Sequence, residues 1–77
     1  MGYNQHNFFM KELKIIGKNI IRLRRALNLT QEDLCGIAEI DRSYLSEVEN
    51  GKMNITIKAL KKIADALEVP LYDLFVP

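Results

Sequence analysis

The segment that decides the fold runs from Thr30 to Gly51 and reads TQEDLCGIAEIDRSYLSEVENG. Its cap residues predict two short helices joined by a tight turn. The hydroxyl of Thr30 can cap the first helix, and the carboxylate of Asp41 can cap the second. Gly51 follows the second helix, at a position where the backbone often turns left-handed. This arrangement is a helix-turn-helix.

The apolar residues of this segment predict which side of each helix is buried. The first helix places Leu34, Ile37 and Ala38 inward, and the second places Leu45 and Val48 inward. The outer face of the second helix then carries Arg42, Ser43, Ser46 and Glu47. In a helix-turn-helix, this outer face enters the major groove of DNA.

The rest of the chain predicts three more helices, so we expect a compact all-α domain of five helices. Apolar residues recur at spacings of three and four between Phe9 and Leu27, which predicts a long first helix. Thr56 can cap a fourth helix that ends at Leu67, and Pro70 can start a short fifth helix over residues 71–75.

The beginning of the chain shows no helical period over residues 1–8, and Met10 can serve as an alternative translation start. We therefore expect residues 1–9 to be a flexible leader and residues 10–77 to form the helix-turn-helix domain.

The chain resembles the lambda-repressor-like, Cro/C1-type (Xre) family of DNA-binding domains. The resemblance covers most of the chain and rests on blocks in the family's order: IIRLR at 20–24, LTQEDL at 29–34, YLSEVENGK at 44–52 and LKKIADAL at 60–67. Two runs, IDRSYLS at 40–46 and NITI at 54–57, most resemble the controller proteins of restriction-modification systems.

Two residues depart from the pattern of this family. Cys35 stands where a small residue, often Ala, is usual, and free Cys packs as a small hydrophobe. Glu39 stands where the turn commonly carries Gly. If the backbone there is left-handed, we expect Glu39 to cost about 1 kcal/mol of stability.

The resemblance implies a transcriptional regulator that binds a pseudo-palindromic operator in double-stranded DNA as a homodimer, with one recognition helix in each major groove. It implies repression, activation, or both, depending on where the operator lies. It also implies that Arg24 and Glu49 form a partly buried ion pair that ties the first helix to the recognition helix.

Arg42 is the main candidate for reading a base, because a guanidinium can bind guanine O6 and N7 together. A phosphate contact or an intrahelical ion pair is the alternative for Arg42. Ser43 can touch a base edge or a phosphate, and Tyr44 can either reach a phosphate or pack against the turn. Glu47 can accept from cytosine N4, orient Arg42, or repel wrong sequences.

The remaining predicted DNA contacts are polar residues that can bind the DNA backbone. Gln31 occupies the first position of its helix, where its side chain and backbone N–H can clamp a phosphate together. Asn50, Lys52 and Asn54 flank the loop after the second helix and can follow the DNA backbone, and a solvated lysine is the alternative for Lys52. Ser46 lies on the outer face that enters the groove and is expected to contact DNA there.

The charge of the chain is low for a nucleic-acid binder, with a net value of +1. Its distribution is uneven, because residues 1–30 carry +5, residues 31–50 carry −5, and the remainder carries +1. Several acids of the middle segment lie at helix starts. We therefore expect phosphate contacts to come mainly from helix N-termini, amide side chains and a few cations.

A small domain of this kind buries only about 60% of the surface that its unfolded chain exposes, so a dimer partner would stabilise it. We expect the dimer interface at the C-terminal end, on Leu71, Leu74, Phe75 and Val76. The alternative is that Leu71 and Phe75 close the protomer core against Leu13 and Ile16, which leaves Phe8 and Phe9 to associate.

Other function classes find little support in the composition. No apolar stretch approaches the roughly 20 residues that span a bilayer, and no signal peptide is evident, so we expect a cytoplasmic protein without membrane contact. One Cys and one His make a metal site improbable, and Cys35 is expected to be an inert core thiol.

We expect no cofactor, no small-molecule ligand and no enzyme activity. The alternative function is an antitoxin or protein-interaction module with the same fold.

Overall fold

The computed structural model describes the backbone of residues 5–77 and the side chains of residues 10–77. Its elements are α1 (Gln5–Ala26), α2 (Gln31–Ala38), α3 (Arg42–Glu49), α4 (Ile57–Leu67) and a 3₁₀ helix (Leu71–Phe75). Over the described residues the fold is all-helical, as predicted.

The prediction of five α-helices is corrected at the last element, which is a 3₁₀ helix. Pro70 is the residue before this helix rather than its first member, and the N–H of Asp73 donates to the carbonyl of Pro70 at 3.0 Å. A segment of five residues at the end of a chain forms few α-helical hydrogen bonds, and short helical pieces commonly take the tighter 3₁₀ form.

Helix α1 begins at Gln5, so its start does not coincide with the boundary that we predicted between residues 9 and 10. Residues 1–4 lie outside the described residues, as do the side chains of residues 5–9. The leader over residues 1–9 stays a prediction, and so does the alternative association through Phe8 and Phe9.

Three helices begin at the cap residues that the sequence predicted. The side chains of Thr30, Asp41 and Thr56 each accept a hydrogen bond from the backbone N–H three residues further on, at 3.0, 3.0 and 3.1 Å. At α2 the cap is reciprocal, because Asp33 accepts from the backbone N–H of Thr30 at 2.9 Å. Each cap satisfies a donor that the first turn of a helix leaves without a partner.

Left-handed residues end several helices. Gly51 has a φ of 69°, as predicted, and Glu39 has a φ of 59° at the end of α2. The expected strain at Glu39 is therefore present. Asn28 and Glu68 adopt the same conformation after α1 and α4, with φ values of 60° and 61°.

The core is one apolar cluster formed by the inward faces of all five elements. Its buried members are Ile16, Ile20, Leu34, Cys35, Ala38, Leu45, Val48, Leu60, Ile63, Ala64, Leu67 and Leu74. None of the helices in residues 5–77 is both long and apolar enough to cross a membrane.

Ile37, which the sequence predicted to point inward, is exposed instead. It faces solvent because Leu34, Cys35 and Ala38 already form the buried side of the eight-residue helix α2. Leu27 is the last residue of the apolar pattern that predicts α1, but the helix ends at Ala26, and Leu27 is exposed.

Candidate nucleic-acid interface

Helix α3 presents the outer face that the sequence predicted. Arg42, Ser43 and Glu47 are exposed, while Tyr44 and Ser46 are half-buried at the edges of this face. The opposite side is buried, with Leu45, Val48 and Glu49 against the rest of the domain. Short polar and charged side chains on a ridge of this kind can enter a groove that admits an α-helix.

A buried ion pair fixes the position of α3. The guanidinium of Arg24 donates to both carboxylate oxygens of Glu49, from Nε at 2.8 Å and from Nη2 at 3.0 Å. Arg24 also donates from Nη1 to the carbonyl of Leu29 at 2.9 Å. Since Arg24 belongs to α1 and Glu49 to α3, the pair joins these two helices, as the family resemblance implied.

Gln31 belongs to the same network, which the sequence did not reveal. Its Nε2 donates to Oε1 of Glu49 at 2.9 Å, so the carboxylate of Glu49 connects α1, α2 and α3. Gln31 is the first residue of α2, where backbone N–H groups have no partner within the helix. The contact with Glu49 orients the Gln31 side chain and uses one of its two amide N–H groups.

Asp33 adds negative charge to the same end of α2. Hydrogen bonding with Thr30, chiefly to its backbone N–H, holds the pKa of the Asp33 carboxyl below its ordinary value. This acid therefore caps the helix in its charged form.

Arg42 lies in an exposed ion pair with Glu32 of α2. Its Nη1 lies 3.5 Å from Oε2 of Glu32, and both side chains are largely exposed. The pair thus joins the two helices of the motif, whereas the ion pair that the sequence suggested for Arg42 was one within its own helix. Exposed pairs contribute at most about 1 kcal/mol, so a guanine or a phosphate can replace Glu32 as the partner of Arg42.

The loop after α3 places its polar residues together. Asn50, Lys52 and Asn54 are exposed and line one hollow that also includes Lys14 of α1. Gly51 lies between them, and a Cβ at Gly51 would meet the Lys14 side chain at 2.9 Å. The loop therefore lies close against α1, and α1 borders the site.

Two further residues of α1 were missed by the sequence analysis. Gly17 allows α1 to pack closely on the end of α3, because a Cβ at Gly17 would clash with the backbone oxygens of Val48 and Glu49. Asn19 is buried, and its Nδ2 donates to the carbonyls of Leu74 and Val76 at 2.9 and 2.8 Å. A glycine and an asparagine inside the long helical pattern were the only sequence signals for these roles.

The predicted dimer interface is corrected at Leu74. This side chain is fully buried within the protomer core, so it has no surface for a partner. The 3₁₀ helix turns Leu74 inward, while Phe75 and Val76 stay exposed and Leu71 is half-buried. Phe75 also lines a groove together with Leu13 and Ile16, the two residues against which the alternative placed it, and that alternative stays a prediction.

Cys35 has the surroundings of a structural thiol. It is buried in the core cluster, and burial raises the pKa of its thiol. A neutral, inaccessible thiol is a poor nucleophile.

Comparisons with known proteins agree with this geometry. Residues 20–74 match the model of the HTH_3 helix-turn-helix family. The HTH-type transcriptional regulator y4dJ of Sinorhizobium fredii is 39% identical over 64 residues, which cover 83% of each chain. Control protein C.MunI of a Mycoplasma species is 37% identical over 68 residues, which cover 86% of this chain and 92% of C.MunI.

A solved structure shows the same fold. The restriction-modification controller protein C.AhdI of Aeromonas hydrophila superposes with a TM-score of 0.81 at 35% identity, over 84% of this chain and 98% of C.AhdI. The resemblance that the sequence blocks suggested is thereby confirmed.

Proposed function

We propose that this chain, which belongs to the HTH_3 helix-turn-helix family of DNA-binding regulators, controls transcription by binding a pseudo-palindromic operator as a homodimer. Each protomer places α3 in the major groove of one half-site. The observation that carries the proposal is the network in which Glu49 holds Arg24 and Gln31, because it fixes α3 and the start of α2 on one rigid frame.

The outer face of α3 recognises the bases. Arg42 follows the cap Asp41 at the leading end of the helix, where side chains reach base edges, and its guanidinium can donate to guanine O6 and N7. Ser43 and Glu47 share this exposed face and complete the contact with the bases. Tyr44 and Ser46 are half-buried, which favours contacts at the rim of the groove.

Phosphate contacts flank this face on two sides. At the start of α2, Gln31 offers its backbone N–H and its remaining amide N–H. After α3, the exposed side chains of Asn50, Lys52 and Asn54 can follow the DNA backbone. These contacts position the protein on DNA without reading its sequence.

The homodimer forms through apolar surface at the C-terminal end. Phe75 and Ile57 line one groove, and Ile57 is 65% exposed, although it is a large apolar residue. Val76 follows Phe75 and is exposed as well. A patch of this kind on a small domain is typical of an association site, and a two-fold axis would bury it against its own copy.

The regulated system is a restriction-modification operon. The support is the similarity to C.MunI over 92% of that protein, together with the fold shared with C.AhdI. The sign of regulation follows from where the operator lies relative to the promoter.

Selection of bound sequences from random DNA tests the proposal, followed by titration of the selected site. Arg42→Ala is expected to cost about 1–3 kcal/mol on this site and to relax preference at one base position in each half-site. Lys52→Gln should weaken binding to all sequences alike. If Arg42→Ala changes neither affinity nor preference, the assigned face is wrong; if no sequence is selected, a protein partner becomes the better hypothesis.

Sedimentation tests the dimer. Phe75→Asp is expected to give folded monomers, because it places a charge at the proposed interface. Ile37→Asp is the matched control, since Ile37 is an exposed apolar residue on α2, away from this groove. A Phe75→Asp protein that stays fully dimeric would show that the interface lies elsewhere.

A further inference from the structure

Helix α1 carries five cations along one side. Lys11, Lys14, Lys18, Arg22 and Arg25 follow one another at spacings of three and four residues, and all are exposed. At 3.6 residues per turn, these spacings place the five side chains within an arc of about 80°. We call this row the α1 basic stripe. The opposite side of α1 is buried, with Ile16, Ile20 and Arg24 facing the domain.

Among residues 10–77, no residue of the α1 basic stripe forms an ion pair. The ion pairs among residues 10–77 are Arg24–Glu49, Arg42–Glu32 and Lys61–Asp65. The helix-turn-helix segment, residues 31–50, carries −5. The positive charge that a DNA-binding protein needs is therefore concentrated on α1, outside the motif that reads the bases.

Two lysines of the stripe border the end of α3. Lys14 and Lys18 line one hollow together with Glu49 and Asn50. Lys14 also lines the neighbouring hollow with Asn50 and Lys52. The stripe is therefore continuous with the loop residues that are proposed to contact the DNA backbone.

We propose that Lys14 and Lys18 bind successive phosphates of the DNA strand that runs beside the groove occupied by α3. This inference rests on the proposed function and assigns much of its electrostatic affinity to α1. The two lysines are four residues apart, which is about 6 Å along the helix. Phosphates of one strand advance about 3.4 Å each along the duplex axis, so two neighbouring phosphates lie within reach of the two flexible amines.

The salt dependence of DNA binding tests this proposal. Each phosphate contact contributes about 0.9 to the slope of log affinity against log salt concentration. The double variant Lys14→Gln/Lys18→Gln should therefore lose about 1.8 from this slope. Over about a fourfold rise in salt concentration, the factor by which the affinity falls should be roughly 12 times larger for the parent protein than for the variant. Base preference should stay the same, because Arg42 is unchanged.

The matched control is Lys58→Gln/Lys62→Gln. These lysines are also exposed, lie four residues apart on one helix, and border neither hollow beside α3. The control removes the same charge as the α1 variant, but from a position outside the proposed contact. Its slope of log affinity against log salt concentration should therefore stay close to that of the parent protein. Thermal melts of all three proteins verify that the exposed substitutions leave the fold intact.

Each outcome either supports or overturns the proposed phosphate contacts of Lys14 and Lys18. A reduced slope in the α1 variant alone supports the contact. An equal loss in both variants would show an effect of net charge only, and an unchanged slope in the α1 variant would also overturn the proposal. In those two cases, sequence-specific binding that still depends on Arg42 would leave the proposed function standing. A parent protein that selects no DNA sequence would overturn both.

Discussion

Replacing Glu49 by Ala should destabilise this domain more than any surface change, because it removes the acceptor shared by three helices. The carboxylate of Glu49 accepts two hydrogen bonds from Arg24, at 2.8 and 3.0 Å, and one from Gln31 at 2.9 Å. The side chains of Arg24 and Glu49 are only 11% and 3% exposed. Without Glu49, the guanidinium of Arg24 stays in a buried site, loses its carboxylate partner and retains only its hydrogen bond to the carbonyl of Leu29.

The expected size of the effect follows from this burial. Breaking a buried pair by removing one partner costs about 3–5 kcal/mol, because the remaining charge stays uncompensated. A small domain has about 5–15 kcal/mol of stability in total. For a domain of this size, 1 kcal/mol corresponds to about 4–8 °C in Tm, so Glu49→Ala should lower Tm by roughly 12 °C or more.

Urea unfolding followed by circular dichroism measures the change, at one protomer concentration for all variants, because association would shift the apparent stability. Asp65→Ala is the control, since it breaks the exposed pair in which Lys61 and Asp65 lie 2.7 Å apart. That loss should stay within about 1 kcal/mol. The double variant Arg24→Met/Glu49→Met should recover most of the stability. If Glu49→Ala costs no more than Asp65→Ala, the network does not stabilise the fold.

Three further substitutions and one labelling experiment test the packing of the domain. Gly17→Ala should cost about 1–3 kcal/mol, because its Cβ would clash with the backbone oxygen of Glu49. A higher urea midpoint for Gly17→Ala than for the parent protein would contradict the close approach of α1 to α3 at Gly17. Gly36→Ala should instead stabilise α2 by up to about 1 kcal/mol, since no atom lies within 4 Å of a Cβ at Gly36. Glu39→Gly should raise stability by about 1 kcal/mol by relieving the left-handed backbone, and an unchanged Tm would show that no strain is stored there. Burial raises the pKa of the Cys35 thiol, so a thiol reagent should label it slowly until urea unfolds the chain, and rapid labelling of the folded protein would refute its burial.

The sequence predicted the features that depend on neighbouring residues. The caps at Thr30, Asp41 and Thr56 are local, because each side chain needs only the backbone three residues on. The left-handed backbone at Gly51 follows from its place directly after α3, whereas that at Glu39 could be expected only from the Gly that the resembled family carries there.

The features that the sequence did not predict depend on distant contacts. Leu74 and Ile37 are both apolar, but only the packing of the whole domain decides that the first is buried and the second exposed. Asn19 illustrates the same limit. Its side-chain amide donates hydrogen bonds to the backbone carbonyls of Leu74 and Val76, which lie 55 and 57 residues away along the chain. No local pattern can pair such positions.

The acidic character of the helix-turn-helix segment has a structural origin, which explains how it can coexist with DNA binding. Asp33 and Asp41 cap helices, Glu49 holds the buried network, and Glu32 pairs with Arg42. Among the acids of α3, Glu47 alone is exposed on the face proposed for the bases, and no ion pair or hydrogen bond to it is formed by the side chains of residues 10–77. Its carboxylate is therefore free either to accept from a base or to repel a phosphate. Most acids of the chain lie in residues 31–50 and most of its cations lie on α1. Under the proposed function, this distribution would separate the reading of the bases by α3 from the attraction of the DNA backbone to α1.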